Sequence, residues 1–230
     1  LALKGVKYRA VGAANLLSKT VADASYAPSV DDSPQLALDV GFSVGYPEAV
    51  AAQATISDIH AKAKALGGRR IRIIISPYDV GAGPSYTWTR VDQQFAAAKA
   101  AGLTPHVLFD NPRTSDGTAF VTPTTAVMTP LITAAVARYK DRCSTWEILN
   151  EINHIGFWGG PIPSASGYKA ILQEAYTAIH AAQPQAVVVT AGLMQVNTQN
   201  NTGQIPGVPN EQVAVAAPGC LTALYDAGAQ

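Results

Sequence analysis

Residues 138–158, RYKDRCSTWEILNEINHIGFW, hold a short apolar strand with a carboxyl group at its end. The strand candidate is Thr145–Asn150 (TWEILN), whose β-branched and aromatic residues favour a buried strand. Asn150 and Glu151 stand where it ends, and aromatic residues follow in the loop. An Asn-Glu pair has little meaning alone, so its interpretation depends on the fold around it.

Strands and helices alternate on both sides of this stretch. The predicted strands are 36–44, 70–76, 103–110, 145–150 and 186–191. The predicted helices are 47–66, 88–101, 123–139 and 164–182, and another begins at 221–227 after a long polar loop at 195–210. Strict alternation with buried, β-branched strands implies a parallel sheet covered by helices.

Two architectures have this order of elements: a closed (β/α)8 barrel and an open doubly wound sheet. No GxGxxG follows the first strand, and no GxxxxGK[ST] occurs. The phosphate-binding signals of the open sheets are therefore missing, which favours the barrel modestly. Residues 1–35 are irregular and are predicted to be a lead-in or linker, which leaves 36–230 as the barrel domain.

The composition excludes several classes of partner. Hydrophobic residues make up 48% of the 230 residues and the net charge is zero, so a packed core is expected and nucleic acid is not. The chain has no apolar run of 18 residues, so no membrane span is expected. The four histidines and two cysteines lack metal-ligand spacing, so we expect no metal and no cofactor.

Cys143 and Cys220 are predicted not to form a disulfide with each other. Cys143 precedes the fourth strand, whereas Cys220 begins the helix after the fifth, so the two lie near opposite ends of the barrel. A strand of six residues spans ~20 Å, whereas a disulfide needs Cα atoms within ~7 Å.

In a barrel, the carboxyl ends of the strands form the active-site face. A carboxyl group there, beside an amide, suits sugar chemistry, because the acid can protonate a glycosidic oxygen while the amide binds the 2-hydroxyl. Glu151 is therefore the candidate acid/base, and Asn150 is a candidate substrate-binding residue.

The motif WEILNEIN (146–153) resembles the fourth strand of clan A glycoside hydrolases, family 39 or a close relative in particular, which reads W-E-[IV]-x-N-E-P-N. Ile152 replaces the proline without removing a chemical group. The segments TRVDQQFAAAKAAGL (89–103), ITAAVARYKDR (132–142) and 167–193 are also similar to that family, so that the resemblance covers residues 40–230.

The resemblance implies a (β/α)8 TIM barrel of which about the first five β/α units are present. It also implies an extracellular or cell-surface retaining O-glycoside hydrolase that acts on a polysaccharide or oligosaccharide, with Glu151 as acid/base. The family's nucleophile is a Glu that ends strand seven, so we expect it outside this chain, with the rest of the barrel or a larger assembly as partner. Residues 1–230 alone are expected to be neither a closed barrel nor a stable domain.

Further residues near the strand ends are candidate substrate contacts. Trp158 and Tyr78 are candidate stacking platforms for sugar rings, whereas Asp110, Asn111 and His154 are candidates for sugar hydroxyls. In clan A enzymes an arginine such as Arg72 often points into the barrel. An ion pair of Arg72 with Glu147 is the compatible structural alternative, since a buried charge needs a partner.

A second functional class stays open at this point. The missing nucleophile and the irregular first 35 residues also fit a non-catalytic carbohydrate-binding or structural module of a cell-surface or phage-tail assembly. A further strand ending in Glu, ~80–120 residues beyond Glu151, would favour the enzyme, because each missing unit needs ~30 residues.

Overall fold

A computed structural model describes residues 41–43, 53–81, 83, 85–160 and 164–194, together with 220, 224 and 226. Five strands form one parallel sheet in chain order. They are β1 (Gly41–Ser43), β2 (Arg70–Ile75), β3 (Thr104–Phe109), β4 (Thr145–Asn150) and β5 (Val187–Gly192). A doubly wound sheet reverses its strand order at a switch point. The unbroken order is therefore that of a partial (β/α)8 barrel.

Helices connect successive strands. They are α1 (Gln53–Ala65), α2 (Pro77–Val80), α3 (Thr89–Ala101), α4 (Thr125–Tyr139), α5 (Ile155–Trp158) and α6 (Ala165–Ala182). The predicted strands at 70–76, 103–110, 145–150 and 186–191 and the helices at 88–101, 123–139 and 164–182 are confirmed to within two residues. The single-turn helices α2 and α5 were not predicted, because each follows a strand within a few residues.

The first and last predicted elements lie largely outside the described residues. This applies to the lead-in at 1–35, most of the strand at 36–44, the start of the helix at 47–66 and the loop at 195–210. In the predicted final helix, Leu224 and Asp226 are helical, as is Cys220 just before it.

The two faces of the sheet differ in chemistry. In β2, Ile71, Ile73 and Ile75 are buried under the helices, whereas Arg70, Arg72 and Ile74 alternate with them and are partly exposed. Side chains alternate across a strand. One face of β2 therefore supplies the apolar core, and the opposite face carries charged groups.

Gln183, the C-cap residue that follows α6, connects the helical layer to the start of β4. Its Oε1 accepts a hydrogen bond from Trp146 Nε1 at 2.8 Å. Its Nε2 donates to the carbonyl oxygens of Lys140 at 2.7 Å and Cys143 at 2.8 Å. One side chain thus fixes the turn that leads into β4.

The structure has Cys143 and Cys220 as buried, free thiols. The Sγ of Cys143 donates to the Thr145 carbonyl at 3.2 Å, at the amino end of β4. Among the described residues, no helix is both long and apolar enough to cross a membrane.

Replacing Gln183 with alanine should lower the free energy of unfolding by about 1–3 kcal/mol, because the indole N–H of buried Trp146 loses its acceptor. Urea unfolding of the full-length protein measures this loss. Gln173→Ala, on the exposed side of the same helix, is the matched control and should change stability by less than about 0.5 kcal/mol. Equal stability of the two variants would contradict the role of Gln183.

Candidate active site

Glu147, on β4, is a buried carboxylate at the centre of a hydrogen-bond network. Arg72 donates to it in a bidentate manner, with Nε 3.0 Å from Oε2 and Nη2 2.9 Å from Oε1. His106 Nε2 lies 2.9 Å from Oε2, and the Gly192 amide donates to Oε1 at 3.3 Å. The predicted ion pair of Arg72 and Glu147 is thereby confirmed. It lies on the face of the sheet opposite the apolar core, here called the inner face.

The environment of Glu147 keeps it ionised. Burial alone would raise its pKa, but the hydrogen bond with His106 and the charge of Arg72 outweigh burial and hold the pKa below its usual value. A carboxylate with this many donors is a poor proton donor near neutral pH. Glu147 therefore acts as a fixed negative charge.

Asn150 is held on both sides. Its Oδ1 accepts from Arg72 Nη2 at 3.2 Å, and its backbone N–H donates to Asn111 Oδ1 at 2.8 Å. Asn111 Nδ2 in turn donates to the Phe157 carbonyl at 2.6 Å. Hydrogen bonds thus connect the end of β4 to β2, to the segment just after β3 and to α5.

The backbone at the end of β4 adopts an uncommon conformation. Leu149 has φ 63° and Glu151 has φ 46°, both in the left-handed region that L-residues avoid. Beside it, the Tyr168 hydroxyl donates to the Ile148 carbonyl at 3.1 Å and accepts from the Ala191 amide at 2.7 Å. The ladder between β4 and β5 continues past this point, where the Glu151 amide donates to the Gly192 carbonyl at 2.8 Å.

Glu151 is half-buried, and its carboxyl group differs from that of Glu147. Its Oε2 is buried and has no hydrogen-bond partner in the part of the chain that the structure describes. Burial raises its pKa, the charge of Arg72 opposes this, and the carboxyl group of Asp110 adds to it. The net effect is a raised pKa, so the protonated form is favoured relative to an exposed glutamate.

The loops after β4 and β5 are clamped together by Asn153. Its Oδ1 accepts from the Met194 amide at 2.9 Å, and its Nδ2 donates to the Met194 carbonyl at 2.8 Å. Asn153 is fully buried. It was not predicted as a site residue, although it is the last residue of the motif WEILNEIN.

Aromatic rings from the loops after β3 and β4 form a wall beside the strand ends, here called the aromatic wall. The Phe120 and Phe157 centroids are 4.9 Å apart, and His154 meets Phe157 edge-on at 5.7 Å. The Arg113 guanidinium lies 4.0 Å from the centre of the Phe120 ring. These rings are partly exposed, so apolar faces remain available to a ligand.

His154 caps α5, since its Nδ1 accepts from the Gly156 amide at 3.1 Å. Burial lowers its pKa, which keeps the imidazole neutral near pH 7. Tyr78, on α2, is 46% exposed. The predicted positions of His154 and Tyr78 near strand ends therefore match the structure, whereas their contact with substrate stays a prediction.

Two predicted substrate contacts need correction. Trp158 is only 3% exposed and packs in the hydrophobic core, so it presents no free ring face for a sugar. Asn111 is fully buried, and its two polar side-chain atoms already bind Asn150 and Phe157. Both residues therefore have structural contacts: Trp158 packs in the core, and Asn111 positions the backbone of Asn150. Asp110 is also buried, but its charge acts on Glu151.

Sequence reasoning missed His106 and Tyr168. His106 lies on β3 in register with Arg72, so strand parity could have placed it on the inner face with Glu147. Tyr168 carried no signal, because a tyrosine on an amphipathic helix reads as core packing. Within the described residues, no group of His, Cys, Asp and Glu side chains could hold a metal ion.

Replacing Glu147 with glutamine should destabilise the fold by about 3 kcal/mol at pH 7, because Arg72 is left without its counter-charge. The folded-state pKa of Glu147 lies below its usual 4.5. Its charge therefore stabilises the fold above pH 4.5, and this contribution is lost as the pH falls below that value. Urea unfolding from pH 7 to pH 3 should show the difference between variant and wild type shrinking.

The exposed Glu174 of α6 provides the matched control for this experiment. Glu174→Gln should follow the wild-type pH curve within about 0.5 kcal/mol. A pH-independent gap between Glu147→Gln and wild type would contradict the assignment of the stabilising charge to Glu147.

Several solved structures of glycoside hydrolases resemble this chain. A family 39 glycoside hydrolase from Bacteroides cellulosilyticus WH2 matches with a TM-score of 0.50 and 20% identity, over 67% of this chain and 32% of that chain. A glucosidase from Croceicoccus marinus has a TM-score of 0.48 and 14% identity, over 66% and 36% of the two chains. The endoglucanase Cel5A from Thermotoga maritima has a TM-score of 0.44 and 19% identity, over 70% and 51%.

This chain spans from about a third to about half of the length of these structures. No protein-family model matches the sequence, and no curated protein shows significant similarity to it. At these identities the likeness concerns the fold. The chain has the fold of the first five units of a (β/α)8 barrel, shared with a family 39 enzyme of glycoside hydrolase clan A.

Proposed function

We propose that the protein containing this chain is a retaining O-glycoside hydrolase in which Glu151 is the general acid/base. The observation that carries the proposal is the Glu151 carboxyl group itself. It lies at the carboxyl end of β4, its pKa is raised, and its Oε2 is buried without a partner among the described residues. A raised pKa favours the protonated form, which can transfer its proton to a leaving group.

Two carboxyl groups four residues apart have opposite tendencies. The pKa of Glu147 is lowered and that of Glu151 is raised. Such divergence separates a structural or electrostatic carboxylate from a proton-transferring acid. Because Glu147 is bound by Arg72 and His106, Glu151 is the better acid at this strand end.

In the proposed first step, Glu151 protonates the glycosidic oxygen as the bond to the anomeric carbon breaks. A second carboxylate, which we place outside this chain, attacks that carbon and forms a glycosyl ester. Glu151, now ionised, then removes a proton from water as the water oxygen bonds to the anomeric carbon. The bond between that carbon and the ester oxygen breaks, which releases the sugar and restores the second carboxylate and protonated Glu151. Retaining enzymes hold the two carboxyl groups ~5–5.5 Å apart.

Neighbouring residues have defined roles in this proposal. Asn150 is oriented through its Oδ1 by Arg72, which leaves the amide Nδ2 to donate to the sugar 2-hydroxyl. The aromatic wall and Tyr78 offer apolar faces to sugar rings. The substrate class is a polysaccharide or oligosaccharide, and the extracellular location stays a prediction from the family resemblance.

Replacing Glu151 with glutamine in the full-length enzyme should lower turnover of a natural glycan by about 10²–10⁴-fold, because the leaving oxygen is no longer protonated. Formation of the glycosyl ester from aryl glycosides with activated leaving groups should fall much less, since these need little protonation. Pre-steady-state measurement of aryl release on both substrates tests this. Wild-type turnover of the glycan by the variant would refute the role of Glu151. Saturable glycan binding by a wild-type protein that shows no turnover would favour the non-catalytic alternative.

Asp110 should contribute to the pH range of the reaction. A general acid works only while protonated, so activity falls as the pH rises above the pKa of Glu151. The carboxyl group of Asp110 helps to raise that pKa. Asp110→Asn should therefore move the alkaline limb of the kcat/KM profile to lower pH. Asp58→Asn, at an exposed position on α1, should leave the limb in place. An unmoved limb in Asp110→Asn would contradict this coupling.

A further inference from the structure

We propose that Tyr168 is a positioning residue whose hydroxyl group opens the β4–β5 ladder and thereby sets the turn that presents Glu151 to substrate. The inference rests on the proposed role of Glu151 and assigns a device that orients it. Tyr168 lies on α6, is fully buried and packs in the hydrophobic core.

The hydroxyl of Tyr168 takes the place of one rung of the ladder. Ile148 pairs with Thr190, and in a regular parallel ladder of this phase the Ile148 carbonyl would accept directly from the Ala191 amide. Instead, the hydroxyl donates to the Ile148 carbonyl at 3.1 Å and accepts from the Ala191 amide at 2.7 Å. Both of these backbone groups are thus satisfied while the strands stand apart.

The uncommon backbone begins at the next residue. Leu149 has φ 63° and Glu151 has φ 46°, and strained residues of this kind cost about 1–3 kcal/mol each unless their surroundings impose them. Three contacts impose them here: the Tyr168 hydroxyl before the turn, the Asn111 side chain within it, and the Gly192 carbonyl after it. Only the first of these prevents direct closure of the ladder at Ile148.

Loss of the hydroxyl alone would therefore act on the Glu151 carboxyl group. With phenylalanine at 168, the Ile148 carbonyl and the Ala191 amide would lose their shared partner, and direct bonding between them satisfies both groups. That closure would straighten β4 at Leu149 and shift Glu151, whereas the aromatic ring would still fill the core. A displacement of ~1 Å at a catalytic group can cost ~10²-fold in rate.

Tyr139 offers a matched control. It is likewise a fully buried tyrosine on an outer helix, and its hydroxyl donates to Asp92 Oδ1 at 2.9 Å. Its hydroxyl bonds to α3 and not to the end of β4. Tyr139→Phe thus removes one buried hydroxyl without touching the backbone that carries Glu151.

The first measurement is the crystal structure of each full-length variant. In Tyr168→Phe we expect the Ile148 O to Ala191 N distance to close to ~2.9 Å, Leu149 to leave the left-handed region, and the Glu151 carboxyl group to move by ~1 Å. In Tyr139→Phe residues 148–151 should superpose on the wild type. An unchanged backbone at 148–151 in Tyr168→Phe would overturn the proposal.

The second measurement is kinetic. Tyr168→Phe should lower kcat on a glycan by ~10–10²-fold with KM nearly unchanged, and should lose more on poor leaving groups than on activated ones. Tyr139→Phe should keep near wild-type kcat. Equal kinetic losses in both variants would overturn the positioning role in favour of a general structural one. If the wild type hydrolyses no glycoside, the proposed function fails, while the crystal structures still decide whether Tyr168 sets the Glu151 geometry.

Discussion

The rest of the site depends on how one buried carboxylate, Glu147, is neutralised. An ionised group removed from water is costly unless charge and hydrogen bonds compensate it. Here the compensation comes from β2 through Arg72, from β3 through His106 and from β5 through the Gly192 amide. A single side chain on β4 thereby links four adjacent strands of the sheet. These contacts fix the relative positions of the strands around Glu147.

This neutralisation has a second effect, on Glu151. Arg72 bonds Glu147 and Asn150, and its positive charge only partly offsets the effect of burial on the pKa of Glu151. The negative charge of Asp110 acts in the opposite direction to that of Arg72. One arginine thus keeps one glutamate ionised while leaving another with a raised pKa. Two carboxyl groups four residues apart thereby have pKa values shifted in opposite directions, because their neighbours differ.

The sequence predicted the described strands, the main helices from α3 onward, the inner-face ion pair and the position of Glu151, because all of these follow from strand periodicity and a compact motif. It did not predict that Trp158 turns inward, since the single-turn helix α5 decides that direction. His106 and Tyr168 act through register and through helix–sheet packing. Both are tertiary facts, which local residue types do not encode.

The Asn153 clamp has a consequence for how such a barrel can diverge. Asn153 bonds both backbone groups of Met194 and thereby fixes the position of the backbone just after β5. Changes in length or composition beyond Met194 are thereby mechanically separated from the strand end that carries Glu151. The segment that follows Met194 can therefore change in sequence while Glu151 keeps its position. Asn153 is thus the boundary between the strand end that carries Glu151 and a segment that can vary.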